Sequence, residues 1–367
     1  MKINHLNALR VRIPQNPPIA PYQSRYRATS AKVALLVRLE TDSGFTGWGE
    51  APEDWLHNTF EGAPEERLRQ QVLGRDPFDL EAWYAENTLG NHLGSAVEMA
   101  LWDLIGQATR QPLYKLLGGA VRKRIDLAAC MGIRPYEEAK AIAKQYLDMG
   151  FTTLKTKAGR DPQEDLNMVR GIRDGVGDRL KLRIDPNTGY QPETALALAR
   201  DLEPYHLEYF EQPMPFSCIG ESARFRHLTR TPLALNESVT TPEVVMQILQ
   251  LRAADVLLPD TYQSGGILAV KKTAALCEAA RVPCVFHCAH DLGLKTAAML
   301  HVVASSPGFT LANDCTYYGL VDDIISPLHH IEDGHMRVPE GPGLGVSVDE
   351  SKLAKYRLEP ASAEPRP

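Results

Sequence analysis

The stretch KLRIDPNTGYQPETALALARDLEPYHLEYFEQP, residues 181–213, contains a complete strand–helix–strand repeat and decides the fold prediction. Residues 181–185 and 207–211 are short runs rich in β-forming side chains, and the segment between them has the apolar spacing of a helix. Two strands joined in this way lie parallel in one sheet. An acidic residue, Asp185 or Glu211, ends each predicted strand.

The same unit recurs along most of the chain. After about residue 125, short β-rich runs alternate with longer amphipathic stretches, which predicts repeated βα units and a parallel sheet. Eight such strands favour a closed barrel over an open sheet. The predicted strands are residues 125–132, 152–157, 181–185, 207–211, 233–237, 256–260, 284–287 and 310–314. The predicted helices between them include residues 135–149, 162–176, 192–202, 242–251 and 268–280.

The N-terminal part of the sequence has a different pattern. Residues 31–40 and 44–50 are β-rich runs separated by a short polar turn, which predicts a hairpin. Helical patterns follow at residues 64–73, 79–86 and 95–107. Strands followed by helices, without alternation, are typical of an α+β domain.

Composition and charge exclude several classes of function. The 367 residues include 40 Lys and Arg and 46 Asp and Glu, a net charge of −6 without a basic cluster, so we expect no nucleic-acid partner. No apolar run is long enough to span a membrane, and the first residues lack the apolar stretch of a secretory signal, so we expect no membrane partner. The six cysteines form no CxxC pair and are expected to be reduced thiols, which indicates a cytoplasmic protein.

One polar residue stands at the end of seven predicted strands. Each of these residues alone is more often a helix cap, a solvated charge or a structural histidine than a functional group. Their regular spacing of 24–28 residues, about one βα unit, argues for a shared role. The carboxyl ends of barrel strands meet at one mouth, where such enzymes place their active sites. The series is Lys157, Asp185, Glu211, Asn236, Asp260, His287 and Asp314.

Three consecutive members of this series predict a metal site. Asp185, Glu211 and Asn236 offer two carboxylates and an amide, and oxygen ligands suit a hard divalent cation, by default Mg²⁺. Glu237 competes with Asn236 for the third position. Because side chains alternate along a strand, we expect only one of the two to face the mouth.

Two pairs of residues predict acid–base chemistry on either side of this metal. Lys155 and Lys157 are two apart on one strand, so their side chains share a face, and two neighbouring ammonium groups lower each other's pKa. A lysine with a lowered pKa can act as a general base. Asp260 beside His287 can fix the imidazole tautomer and raise its basicity, which makes His287 a second acid–base group.

These groups suit removal of the proton α to a carboxylate. Such a proton is weakly acidic, so stabilisation of the enediolate by the metal and by Lys155 must supply much of the rate. Lys157 and His287 are expected to face the bound substrate from opposite sides. We predict that Lys157→Ala and His287→Asn each abolish turnover while leaving the fold intact.

Short motifs surround these residues and also occur in the N-terminal part. The strand-end motifs are KTK at 155–157, IDPN at 184–187, FEQP at 210–213, LNES at 235–238, PD at 259–260 and FH at 286–287. The N-terminal motifs are GWGE at 47–50, ALWD at 100–103 and PLYKLLGG at 112–119. Together they cover nearly the whole chain, and they resemble the enolase superfamily and, within it, the mandelate racemase subgroup.

The resemblance implies an α/β architecture in which a modified (β/α)7β TIM-type barrel carries an α+β capping domain. It implies that residues 1–124 form the cap, completed by a C-terminal segment of about residues 340–367, and that residues 125–339 form the barrel. It also implies a Mg²⁺ cofactor, an enolate mechanism, a small-molecule carboxylate substrate and a homo-oligomer.

The resemblance also bears on the reaction. Asn236 and the stretch Asp185-Pro186-Asn187 are similar to the glucarate dehydratases, and this likeness implies that Asp314 hydrogen-bonds a substrate carboxylate. The leading hypothesis is therefore dehydration of a sugar acid to a 2-keto-3-deoxy acid. Gly265-Gly266 is more similar to mandelate racemase. Racemisation or epimerisation of a 2-hydroxy acid, sugar-lactone cycloisomerisation and a catalytically inactive binding protein stay open.

Loops of the N-terminal part predict further substrate contacts, because loops over a barrel mouth commonly set specificity. Arg25 or Arg27 could hold the distal carboxylate of a diacid. The other candidates are Tyr22, Trp55, His57 and, beside the metal ligands, Asn187.

Overall fold

The computed structural model describes residues 1–52 and 64–358, and its N-terminal part is an α+β unit. The elements in chain order are β1 (Ile3–Pro14), β2 (Tyr22–Gln23), β3 (Ala28–Thr29), β4 (Ala31–Thr41), β5 (Thr46–Pro52), α1 (Pro64–Val72), α2 (Leu80–Glu86), α3 (Gly90–Thr109) and α4 (Leu113–Leu116). Strands β1, β4 and β5 form an antiparallel sheet in the order β1–β4–β5. The predicted hairpin is β4–β5.

Helix α3 packs very closely on one face of this sheet, and two glycines of β5 permit it. A Cβ at Gly49 would lie 1.8 Å from the carbonyl oxygen of Ala96, and one at Gly47 would lie 2.3 Å from that of Ala100. Any side chain at either position would push the helix away, because contacts this short are sterically forbidden. The GWGE motif therefore fixes the distance between sheet and helix.

The second part of the chain alternates strands and helices. Its elements are β6 (Arg124–Met131), α5 (Tyr136–Asp148), β7 (Thr153–Lys157), α6 (Pro162–Val176), β8 (Lys181–Asp185), α7 (Pro192–Leu202), β9 (Leu207–Glu211), α8 (Ile219–Leu228), β10 (Leu233–Leu235), α9 (Pro242–Gln250), β11 (Val256–Leu257), α10 (Thr261–Ser264), α11 (Ile267–Ala280), α12 (Gly293–Ala304) and β12 (Asn313–Cys315). Single 3₁₀ turns lie at Gly177–Arg179, Glu203–Tyr205 and Tyr317–Gly319.

These strands close into a barrel, as the repeat predicted. Strands β6 to β11 pair in parallel in chain order, and β12 pairs with β6. The gap between β11 and β12 is filled by residues 284–287, which form a bridge and backbone hydrogen bonds rather than a regular strand. His287 N donates to Pro259 O over 3.1 Å, and Asp314 N donates to Phe286 O over 3.1 Å.

Several barrel helices begin at a proline, which accounts for their sharp start. Pro162 begins α6, and the Asp161 carboxylate before it accepts hydrogen bonds from the backbone N–H of Gln163 (2.8 Å) and Glu164 (3.0 Å). Proline at the first helical position loses no intrahelical bond, and an acidic cap satisfies the free N–H groups there. Each helix therefore starts a few residues after a strand end, which keeps the strand ends at the mouth.

Several barrel strands differ from their predicted bounds, and two of these differences bear on the site. Strand β10 ends at Leu235, so Asn236 and Glu237 both lie beyond the regular strand and the expected alternation does not apply to them. Strand β12 covers Asn313–Cys315 rather than residues 310–314, and Asp314 pairs with Ala128 of β6. Both differences change which side chains face the mouth.

The remaining chain returns to the N-terminal unit. Its elements are β13 (Ile325–Ser326), β14 (Ile331–Glu332), β15 (His335–Arg337), β16 (Ser347–Val348) and α13 (Glu350–Tyr356). Gly343 bridges to Pro112, and Arg357 bridges to Val11. We propose from these contacts that the C-terminal segment completes the cap. None of the helices in the described residues has the length and apolar character needed to cross a membrane.

Candidate active site

A cavity of about 310 Å³ lies where the carboxyl ends of the barrel strands meet the N-terminal unit. The barrel supplies side chains from several strand ends, and the N-terminal unit supplies a second wall. The barrel residues around it include Lys157, Asn187, Asn236, Glu237, Gln263 and His287. The residues from the N-terminal unit include Tyr22, Tyr26, Arg27 and Lys32.

The two lysines of β7 both reach buried carboxylates below the cavity. The Lys155 ammonium lies 2.7 Å from Glu211 Oε1, 2.8 Å from Asp314 Oδ2 and 3.3 Å from Asp185 Oδ2. Burial lowers the pKa of Lys155, but these three carboxylates raise it by more, so it lies well above its ordinary value. The prediction that Lys155 has a lowered pKa is therefore wrong for this arrangement. Lys157 pairs with Asp185 and also lines the cavity.

Asp185 and Glu211 are fully buried and lie close together at the ends of β8 and β9. Burial raises the pKa of Glu211 well above its ordinary value, and the neighbouring Asp185 charge raises it further. For Asp185 burial acts in the same direction, but Lys157 and Lys155 outweigh it and the pKa is lowered. Glu211 Oε2 is buried without a hydrogen-bond partner among the described residues.

Asn236 and Glu237 differ in what they contact. The Asn236 amide donates to Leu258 O over 2.8 Å and to Gln263 Oε1 over 3.0 Å. Glu237 Oε1 instead accepts from Asn187 Nδ2 over 3.1 Å, while its Oε2 is buried with no hydrogen-bond partner in the described part of the chain. Burial and then Asp185 raise the pKa of Glu237 to about 7. The arrangement favours Glu237 over Asn236 as the third oxygen ligand.

The arrangement of donors fits a divalent cation. Ligand atoms of Asp185, Glu211 and His287 lie within 4.8 Å of one another. Two buried carboxylate oxygens, on Glu211 and Glu237, lack a partner within the described residues, and buried unpaired acceptors are costly. A cation bound beside Asp185 and Glu211 would give the Glu211 oxygen a partner, and carboxylate oxygens are the donors that Mg²⁺ prefers.

His287 and Asp260 form the predicted pair, and a His287 ring nitrogen lies within 4.8 Å of the Asp185 and Glu211 oxygens. His287 Nδ1 lies 3.0 Å from Asp260 Oδ2, and both side chains are buried. Burial, followed by the charge of Lys155, holds the pKa of His287 well below its ordinary value. The imidazole is therefore neutral, and its second nitrogen can accept a proton.

The sequence and the structure of the chain match known proteins over most of their length. Residues 138–352 match the family "Enolase C-terminal domain-like", and residues 8–118 match "Mandelate racemase / muconate lactonizing enzyme, N-terminal domain". The chain belongs to this mandelate racemase subgroup of the enolase superfamily. The family architecture, a TIM-type barrel with an N-terminal capping domain, is the one that the structure has.

The similar proteins include enzymes of different reaction classes. The chain is 31% identical to the L-Ala-D/L-Glu epimerase of Bacillus subtilis, over 94% of this chain and 97% of that one. It is 30% identical to the D-gluconate dehydratase of Thermoproteus tenax, over 97% of this chain and 76% of that one. The crystal structure of an isomerase from Streptomyces coelicolor A3(2) superposes with a TM-score of 0.83 at 34% identity, covering 97% of this chain and 98% of that one.

The predicted substrate-binding residues of this superfamily member differ in whether they line the cavity. Tyr22 and Arg27 line the cavity. Arg25 does not, because its guanidinium donates to Asn187 O over 3.0 Å and holds the loop after β8. Asn187 lines the cavity and also donates to Asp185 Oδ2 over 3.2 Å. The two other predicted contacts, Trp55 and His57, lie outside the described residues.

Asp314 has a different position from the one that the dehydratase likeness implied. It is buried beside Lys155 and Arg183 rather than on the cavity wall, with Arg183 Nη1 3.4 Å from Asp314 Oδ1. Its pairing with Ala128 places it in the layer of Lys155, below the mouth. Its predicted contact with a substrate carboxylate is therefore not what the structure shows.

Two lysines near the site escaped the sequence prediction. Lys32 lines the cavity from β4, and its ammonium donates to Ala289 O over 3.0 Å. Lys295 is buried in the first turn of α12 and binds Asp260. Both lie in strongly apolar segments, AKVALLV and GLKTAAMLHVV. An isolated charge in such a segment indicates a buried lysine with a partner, and this signal could have identified both residues.

Proposed function

We propose that the protein catalyses Mg²⁺-dependent removal of the proton α to a carboxylate, and that loss of water from a sugar acid follows. The observation that carries the proposal is the placement of two proton-transfer groups on one cavity. Lys157 lines it beside the buried carboxylates, and His287 lines it with Asp260 behind. A carboxylic acid bound between them would expose its α-carbon to both groups.

The buried carboxylates supply the metal site in this proposal. Asp185, Glu211 and Glu237 would hold Mg²⁺, which when bound would anchor the substrate carboxylate and offset the charge that develops on it. Lys155, held by three carboxylates beneath the site, is a fixed positive charge. Its raised pKa and its position beneath the cavity wall suit it to electrostatic stabilisation rather than to the role of base.

His287 can carry out both proton transfers of a dehydration. Its neutral imidazole accepts the C2 proton at Nε2, and the Asp260 carboxylate stabilises the imidazolium that forms. The imidazolium then donates this proton to the 3-hydroxyl group, which leaves as water. The resulting enol becomes the 2-keto-3-deoxy acid by tautomerisation. Lys157 would take the C2 proton from substrates of the opposite configuration.

The cavity wall supports a small polar substrate. Its volume of about 310 Å³ is near the lower end of the range for ligand sites. Hydroxyl, amide and cationic side chains from both domains line it. A polyhydroxy acid would find hydroxyl, amide and cationic groups on this wall for its own hydroxyl groups. The wall includes Tyr22, Tyr26, Ser24, Thr29, Arg27 and Gln263.

Epimerisation is the second candidate, and one observation favours it. Lys157 and His287 line the same cavity, and if they face a bound substrate from opposite sides, a proton removed by one would be replaced by the other on the opposite face. The similarity to the L-Ala-D/L-Glu epimerase is in keeping with this second outcome. Dehydration and epimerisation share the first proton transfer and differ in whether a 3-hydroxyl group is available to leave.

The test is a library of sugar acids and 2-hydroxy acids incubated with the protein and Mg²⁺ in D₂O and followed by NMR. A 2-keto-3-deoxy product would support dehydration and identify the substrate. Deuterium at C2 without loss of water would replace dehydration with epimerisation. Absence of both signals across the library, with Mg²⁺ bound, would contradict the proposal for acids of these classes.

A further inference from the structure

Lys295 is a fully buried cation next to the site but not on its wall. It lies in the first turn of α12, and its ammonium is 2.8 Å from Asp260 Oδ1 and 2.8 Å from Asp291 Oδ1. It is not among the described residues that line the cavity. A buried ammonium is costly unless it is paired, so its position is set by the carboxylates that it binds.

Asp260 is consequently held from two sides. Its Oδ2 is 3.0 Å from His287 Nδ1 and 2.9 Å from the Lys295 ammonium. Its Oδ1 also accepts from the backbone N–H of Tyr262 over 3.2 Å. These contacts leave the carboxylate little freedom to rotate. His287 Nδ1 therefore has one fixed acceptor, and Nε2 is left for the cavity.

We propose that Lys295 is a positioning residue for His287, because it holds the Asp260 carboxylate in the orientation that accepts a hydrogen bond from His287 Nδ1. Lys295 touches neither the cavity nor the candidate ligands, and it acts through Asp260. Its contribution to catalysis rests on the proposed role of His287 as an acid–base group. Its effect on the imidazole tautomer does not rest on that proposed role and can be measured without a substrate.

The ammonium is itself enclosed on its remaining sides. It lies 5.0 Å from the ring centroid of Tyr262 and 6.0 Å from that of Phe286, distances at which aromatic faces attract a cation. The backbone N–H of Lys295 donates to Glu50 Oε2 over 2.9 Å. Glu50 belongs to β5 of the cap and also accepts from Leu292 N over 2.8 Å. Docking of the cap thus holds the turn that carries Lys295.

A neutral residue at position 295 would change the proton on the histidine. Burial already raises the pKa of Asp260, and Lys295 is the largest opposing influence. Without this cation the buried carboxyl group would take up a proton and donate it toward His287 Nδ1. The imidazole proton would then reside on Nε2, which could no longer accept a proton from a substrate.

The test is the ¹⁵N NMR spectrum of the histidine rings in the full-length protein, with His287 assigned by the signal missing from His287→Asn. We expect wild-type His287 to carry its proton on Nδ1 and Lys295→Met to shift it to Nε2. Lys295→Arg, which keeps the charge, should retain the Nδ1 form. Lys271→Met is the matched control, since the Lys271 ammonium is partly buried on Ser305 O over 2.6 Å, away from Asp260.

An unchanged Nδ1 tautomer in Lys295→Met would overturn the inference, as would a wild-type histidine already protonated on Nε2. Should Lys295→Met fail to fold, Lys295→Gln supplies the uncharged variant, and an unchanged tautomer there would overturn it equally. Deuterium exchange at C2 tests the catalytic consequence. Exchange through His287 should fall by at least about 100-fold in Lys295→Met with little change in KM, while exchange through Lys157 stays within about threefold.

The two parts of this experiment separate the inference from the proposed function. A tautomer shift with no exchange by the wild-type protein would leave Lys295 as the residue that orients His287 and would remove the proposed reaction. Normal exchange in Lys295→Met with an unchanged tautomer would keep the reaction and remove the role of Lys295.

Discussion

The surroundings of Lys157 and of His287 are built differently. Lys157 pairs directly with Asp185, a candidate metal ligand. His287 binds Asp260, which in turn binds Lys295, and the turn that carries Lys295 is held by the cap. The position of Lys157 therefore depends on the metal site, and the position of His287 depends on the docking of the cap. The two proton transfers should respond separately to changes in each region.

The largest expected effect comes from removing either proton-transfer group. Lys157→Ala should lower kcat by about 10³-fold or more for substrates deprotonated from its side, and His287→Asn should do so for substrates of the opposite configuration. Steady-state kinetics on substrates of both C2 configurations measure the two effects. Lys144→Ala, an exposed lysine of α5, is the control and should stay within about twofold. Equal activity of Lys157→Ala and wild type would remove the lysine from the mechanism.

The next largest effect is expected on Mg²⁺ binding. Glu237→Gln should weaken Mg²⁺ binding by about 100-fold, because it removes one of the carboxylates that would coordinate the ion. Asn236→Ala should change it by less than about threefold, since the Asn236 amide is bound to Leu258 O and Gln263. Calorimetric titration with Mg²⁺ measures both without a substrate. The reverse order of effects would make Asn236 the third ligand.

A third prediction tests cap docking away from both sides of the cavity. Glu98 of α3 is buried and accepts from Ile267 N (2.7 Å) and Leu268 N (2.8 Å) at the start of α11, and burial raises its pKa to about 7. The pKa of this carboxyl group is higher in the folded protein than in the unfolded chain. Its contribution to stability is therefore complete at a pH below the unfolded-state pKa and is lost as the pH rises through the folded-state pKa. Between pH 5 and 7.5 the loss should be about 2 kcal/mol.

Urea denaturation of the wild type and of Glu98→Gln at pH 5 and pH 7.5 measures this contribution. Glutamine keeps one of the two acceptor oxygens and cannot titrate, so the stability of the variant should fall less than that of the wild type over that range. An identical pH dependence of the free energy of unfolding in the two proteins would show that Glu98 titrates at its ordinary pKa.

The smallest expected effect separates the two arginines of the cap. Arg27→Ala should raise KM by about tenfold, because its side chain lines the cavity and can bind a polar group of the substrate. Arg25→Ala should change KM by no more than about threefold, since Arg25 binds Asn187 O instead. Steady-state kinetics test the pair. A larger KM effect at Arg25 than at Arg27 would reverse their roles.

The barrel was predictable from sequence because its repeat is local and periodic. The residues that end β7, β8 and β9, namely Lys157, Asp185 and Glu211, recur at one point of each unit, and the closed barrel brings them together. The choice between Asn236 and Glu237 was not predictable in this way. It depends on β10 ending at Leu235 and on which neighbour each side chain binds, and both are set by tertiary packing.

Long-range contacts account for the other differences. Asp314 lies at the level of Lys155 because β12 pairs with β6 at Ala128, a register that the sequence of β12 alone does not specify. Lys295 binds Asp260 from 35 positions away, and Lys32 reaches the cavity from the cap. An isolated lysine in an apolar segment could have indicated that a partner exists, but not which one.

The most direct test of two opposed proton-transfer groups is deuterium exchange at C2, followed by NMR, for both C2 epimers of one acid with Mg²⁺ in D₂O. We predict that the wild type exchanges both epimers, that Lys157→Ala keeps exchange of only one, and that His287→Asn keeps exchange of only the other. Loss of exchange of the same epimer in both variants, with the other unaffected, would contradict the account.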